Sequence, residues 1–223
     1  MRYLFVVAHP DDEILGGLGT INSLIRQGHS VAVQIMSTRS ATREDSAELK
    51  KITKEVHKEI GINGTYFSDY HMVRFGQSDR MAMTRDIEDV IRREEPDFIF
   101  THDKCDIHHD HRVLAEVVLE ASKLYMRGTG YNHVISGIYG MEILTSTEWG
   151  DGFIPNAYFE ISEKDISKKE ELLKRYMGVV RDLPHPRNYE TFKALARFRG
   201  AQCGLIYAEA HRKISEVNCD RDR

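Results

Sequence analysis

The sequence predicts an α/β protein, a single domain with a Rossmann-like, mainly parallel sheet and helices on both faces. Three observations lead there. Short continuous apolar runs of strand length recur along the chain. Longer stretches with apolar residues at helical spacing lie between them. The two types alternate over the first 125 residues, the order of βαβ units whose strands are covered on both faces.

RYLFVVA (2–8) reads as the first strand and VAVQIMS (31–37) as the second. Between them, 14–27 has helical length and ends at Gly28, a C-cap residue. Residues 43–60 set Leu49, Ile52, Val56 and Ile60 on one face, and Gly61 stops that helix. TYF (65–67) is a short strand candidate. Residues 80–95 align Met83, Ile87, Val90 and Ile91 before Pro96 closes the helix, and DFIFT (97–101) follows as a buried strand. A helix over 111–126 turns Leu114, Val117, Val118, Ala121 and Leu124 inward. The last third is less regular, with strands near 134–139 and 157–161, helices at 165–181 and around 189–200, and an apolar piece at 204–210. One domain over 1–223 is expected, with 1–125 as its Rossmann-like core and 126–223 completing it.

Composition excludes several classes. With 223 residues, 41% hydrophobic and 30% charged, the chain can bury a proper core without staples. A net charge of −4 with no dominant basic stretch gives no footprint for nucleic acid. The apolar runs are too short to span a bilayer. The N-terminal apolar run breaks at His9 without a small-residue cleavage site, which argues against a secretory signal. Cys105, Cys203 and Cys219 make neither a disulfide framework nor a CxxC site, and fit a reducing cytoplasm.

The chemistry gathers in two loops. AHPDDE (8–13) places His9, Asp11, Asp12 and Glu13 at the end of the first strand. THDKCDIHHDHR (101–112) leaves the end of another with four histidines and three aspartates. In an open parallel sheet, ligands bind beyond the carboxyl ends of the strands. Neighbouring strands would therefore bring the loops to one edge. His9, Asp12 and His111 would then supply two imidazoles and one carboxylate, a set that suits zinc with a position left for water, or non-haem iron. Asp11 would be free to take a proton from water. A dication also answers the repulsion within the first loop. Either loop alone would read as a solvated helix start or an exposed polar turn.

AHPDDE joined to DIHHDH resembles the LmbE-like, or PIG-L, family of zinc-dependent N-deacetylases. Asp69 after the third strand, PNAYFEIS (155–162) and RGAQCGLIYAEAH (199–211) extend the resemblance over most of the chain. It implies zinc on His9, Asp12 and His111, and Asp11 as general base. It also implies that a protonated His108 stabilises the tetrahedral intermediate or protonates the leaving amine, and that Asp110 orients a histidine. The expected reaction is hydrolysis of the acetamide of an N-acetylated amino sugar or sugar conjugate. An amidase acting on another acyl conjugate, or a non-catalytic sugar- or nucleotide-binding module, are the alternatives. The family allows a homo-oligomer. STRSATRED (37–45) and YMGVV (176–180) depart from the family's pattern where substrate is expected to lie. Arg39 and Arg43 are candidates for a substrate phosphate or hydroxyl, Trp149 for stacking on a sugar, and Tyr207 for lining the site. Glu13 is expected to support the loop, and GGLGT (16–20) to let the first helix pack closely on the sheet.

Overall fold

The computed structural model describes residues 1–39, 46–127 and 133–218. Its centre is β1 (Arg2–Val7), whose alternating side chains feed two cores. Tyr3, Phe5 and Val7 enter one, and Leu4, Val6 and the following Ala8 the other. This period of two across a wholly apolar strand is what a sheet covered on both faces demands.

The sheet has seven strands in the order β3-β2-β1-β4-β5-β7-β6. β2 (Ser30–Ile35), β3 (Gly64–Phe67), β4 (Phe98–His102) and β5 (Gly137–Met141) run parallel to β1. β7 (Ala208–Glu216) lies antiparallel between β5 and β6 (Ala157–Glu160). Helices α1 (Asp12–Arg26), α2 (Ser46–Ile60), α5 (Glu163–Leu173) and α6 (Tyr189–Gln202) share the first core, while α3 (Arg80–Glu94) and α4 (His109–Arg127) pack in the second.

Chain order moves from β1 out to β3 and returns to place β4 on the other side of β1. That reversal puts the loops after β1 and β4 side by side. Aromatic packing holds the pair in register: Phe5 stacks on Phe100 at 4.6 Å between centroids, and Phe100 on Tyr139 of β5 at 4.7 Å. Such pairs add about 0.5–1.5 kcal/mol each beyond the area they bury.

The glycines of α1 serve close approach. A Cβ on Gly16 would lie 2.5 Å from Ile143, and one on Gly19 2.5 Å from Ile161. α5 is shorter than the expected 165–181. A capping box between Ser162 and Asp165 starts it, and it ends at Leu173. Tyr176 and Val179 still reach the core, but from a turn with Gly178 at φ +71°. The apolar piece at 204–210 only overlaps the last strand, which begins at Ala208 and runs to Glu216.

Candidate metal centre

β1 and β4 deliver the two polar loops into one crevice of about 790 Å³, lined by His9, Asp11, Asp12, His108, His109 and His111. The Ala8 N–H donates to His102 Nε2 at 2.9 Å, tying the loop roots together. The His9 N–H donates to Asp12 Oδ2 at 2.9 Å. Asp12 Oδ2 also lies 3.2 Å from His9 Nδ1 and 3.4 Å from His111 Nε2. Ligand atoms about 2 Å from a shared tetrahedral ion stand roughly 3.3 Å apart, so both contacts have the length expected of co-ligands.

The second nitrogen of each imidazole is held by a carboxylate. His9 Nε2 donates to Asp110 Oδ2 at 3.1 Å, and His111 Nδ1 to Asp106 Oδ2 at 2.8 Å. Asp110 is fixed in turn by the Val73 and Phe75 N–H groups, and Asp106 by the Ser146 hydroxyl and the His108 N–H. These bonds set the tautomers, leaving His9 Nδ1 and His111 Nε2 to face Asp12. His111 Nε2 is buried with no hydrogen-bond partner.

The electrostatics ask for positive charge at this point. Burial disfavours a charged His111, but Asp12 and Asp106 outweigh it and push the imidazole up to about 10. Burial likewise opposes ionisation of Asp12, yet His111 and His102 hold it well below the usual carboxylate range. His9 is raised against its burial by Asp110 and Asp12. Two compact groups of donors overlap at His111: His9 with His108, and Asp12 with His102, each with its ligand atoms within 4.8 Å of one another. The expected set His9, Asp12 and His111 spans both groups, joined through Asp12. His102 is fully buried and stacks on His111 at 3.8 Å, but its Nε2 lone pair already accepts the Ala8 N–H. It is a packing partner for the cluster. The buried His and Asp donors gathered here could therefore hold a divalent metal.

The remaining expectations divide. Asp11 lines the crevice at φ +106°, and Asp110 orients His9. His108 lines it too, with Nδ1 buried and unpartnered. Burial first, then the charges of His111 and His9, push His108 down to about 4. Arg39 is committed to Asp69 and His71 outside the crevice wall. Trp149, in the short 3-10 helix Thr147–Trp149, is 75% exposed and does not line it. Tyr207 borders a separate hollow with Glu190, Lys193 and Arg197. Arg43 lies outside the described residues, as does Cys219. Glu13 is buried and pairs with His57 Nε2 at 3.0 Å, supporting the loop.

Several residues in and behind the crevice wall carried no sequence signal. Asp106 was one of three aspartates in its loop, and only the fold separates it from Asp103, which pairs with Arg212 at 2.7 Å. Thr145, Ser146 and Arg187 reach the wall from the C-terminal part, Arg187 out of LPHPRNYE, which has no periodic pattern. Strain marks the wall as well. Among the described residues, four non-glycine residues have positive φ, and three of them, Asp11, Val73 and Thr145, line this crevice.

The family model described as PIG-L, GlcNAc-PI de-N-acetylase, matches residues 4–122, a little over half of the chain. The chain belongs to the PIG-L family. Solved structures share the fold over nearly its whole length. An N,N'-diacetylchitobiose deacetylase from Pyrococcus horikoshii is 21% identical with a TM-score of 0.72, covering 96% of this chain and 83% of that one. The conserved protein TT1542 from Thermus thermophilus is 21% identical at 0.78, covering 98% and 96%. GalB, the 4-carboxy-2-hydroxymuconate hydratase from Pseudomonas putida KT2440, is 19% identical at 0.74, covering 99% of both chains. A deacetylase and a hydratase on one fold leave the reaction of a PIG-L chain to be argued from its site.

Proposed function

We propose that the protein hydrolyses the acetamide of an N-acetylated amino sugar or sugar conjugate, releasing acetate and a free amine. The observation that carries this reading is the buried, unpartnered His111 Nε2 facing Asp12 beside His9, with both imidazoles oriented from behind by Asp106 and Asp110. The family description, a de-N-acetylase, supports the reaction class. Two imidazoles and one carboxylate suit zinc, and ferrous iron is the alternative metal. When bound, such an ion acidifies water and polarises a carbonyl.

The chain supplies the rest. Asp11, 3% exposed on the crevice wall, accepts the proton of the attacking water and returns it to the departing nitrogen. His108 donates one N–H to the oxygen on which charge develops. The 790 Å³ crevice has room for a sugar and an appended group. A non-catalytic binding module would not need Asp11 and His108 beside the ligand set.

The test is acetate release from a panel of N-acetylhexosamine derivatives, with and without chelator. Chelator-sensitive release is expected, and Asp11→Ala should lower turnover by about 10²–10⁴-fold while keeping the metal. Wild-type turnover in that variant would remove Asp11 as the base. Release of larger acyl groups with no acetate would favour the amidase alternative.

A further inference from the structure

The crevice wall carries two guanidinium groups that this reaction does not use, those of Arg74 and Arg187. Elsewhere Arg26, Arg80, Arg199 and Arg212 each bring a nitrogen within 2.9 Å of a carboxylate. The two crevice arginines do not. Arg74 is engaged through its backbone, its N–H donating to the His71 carbonyl and its own carbonyl accepting from the Gln77 N–H and Ser78 Oγ, and its side chain has no partner among the described residues. The carboxylate nearest Arg187, Asp11 Oδ2, stands 3.8 Å from Nη1, beyond hydrogen-bond reach.

Arg187 is nevertheless fixed. Its Nε donates to Thr145 Oγ1 at 3.0 Å, its backbone N–H donates to His185 Nδ1, and its carbonyl accepts from the Arg181 N–H. Thr145 holds φ +89°, a conformation that costs a β-branched residue energy, so strain is stored at the residue that orients the guanidinium. Nε sets the plane, and both terminal nitrogens keep their donors for the crevice. A guanidinium fixed this way matches a carboxylate or a phosphate through two parallel hydrogen bonds.

We infer that the substrate carries an oxyanion, a carboxylate or a phosphate, beside its acetamide, and that Arg187 and Arg74 bind it and set specificity. This rests on the deacetylase reading for the acetamide, but the recognition of charge can be tested apart from it.

Four probes serve: N-acetylglucosamine as the neutral reference, its 1-phosphate and 6-phosphate, and N-acetylmuramic acid for the carboxylate. Their dissociation constants are measured by titration calorimetry, and acetate release is followed separately, for wild type, Arg187→Gln, Arg187→Lys and Arg74→Gln. At least one charged probe is expected to bind wild type about tenfold or more tighter than the neutral one. Whether a phosphate or the carboxylate leads identifies the oxyanion. Arg187→Gln should collapse the preference, and Arg187→Lys, a charge without a fork, should keep part of it. Equal affinity for all four probes overturns the inference, as does a preference that survives both glutamine variants. Charge preference without acetate release would leave it standing and sink the deacetylase reading. Acetate release without charge preference would do the reverse.

Discussion

Asp106 decides which nitrogen of His111 faces the metal position. Its Oδ2 accepts from His111 Nδ1 and from Ser146 Oγ, both at 2.8 Å, so the ring can neither flip nor change tautomer without losing a buried bond. Removing such a partner from a ligand imidazole weakens metal binding by roughly 10–100-fold. Asp106→Ala is therefore expected to lower zinc affinity by that factor, read by competition with a chromogenic chelator. Unchanged affinity would show that packing alone orients His111. The proposed ligand residues themselves were legible in the sequence, because AHPDDE and DIHHDH put rare residue types at the ends of two strands. Asp106 and Ser146 were not, since a second carboxylate in a polar loop looks like solvent-facing charge until the fold buries it.

Among the elements, the βα units were read nearly to their ends, because their apolar period is local information. β7 was not read as a strand, for a physical reason. Two of its buried side chains are Glu209 and His211, which no apolar pattern would put inside. Their partners come from α1 and α5. Glu209 accepts from the Gly19 and Thr20 N–H groups and from Lys169 Nζ, and Thr20 Oγ1 donates to Glu209 Oε2 at 2.8 Å. The hydroxyl's one proton is thus used, so it accepts from His211 Nε2 at 2.9 Å. Breaking a buried ion pair from one side costs about 3–5 kcal/mol. Glu209→Leu should lose that much in urea denaturation, and adding Lys169→Met should recover most of it. Additive losses would mean the pair is not coupled. Burial is the main cause that pushes His211 down to about 4. A folded pKa below the unfolded value of about 6.5 gives stability that is full above pH 6.5 and lost as pH falls toward 4. In chelator, wild type should therefore lose up to roughly 3 kcal/mol more than His211→Gln between pH 7 and 4. Parallel curves would show that His211 does not contribute to this acid sensitivity.

At the scale of the molecule, the return of the chain to place β4 beside β1 is what makes one site of two loops about a hundred residues apart. A reading of strand and helix order could anticipate that pairing. It could not place Arg187 or Thr145, which reach the crevice from segments without local periodicity. The same topology would couple the proposed metal to folding, because His9 and Asp12 follow β1 while His111 belongs to α4, and only the folded sheet holds them together. A metal that binds the folded chain and not the unfolded one stabilises by about 4 kcal/mol at a thousand times its dissociation constant. For a chain of this size each kcal/mol moves the melting temperature by about 2–4 °C. Zinc added to chelator-stripped protein at that excess should raise Tm by roughly 10 °C. Asp12→Ala should abolish the rise, because Asp12 is the carboxylate that both imidazoles share. A rise that survived in Asp12→Ala would place the stabilising ion elsewhere on the chain. If wild type gave no rise, the cluster would be a charge network that closes without metal.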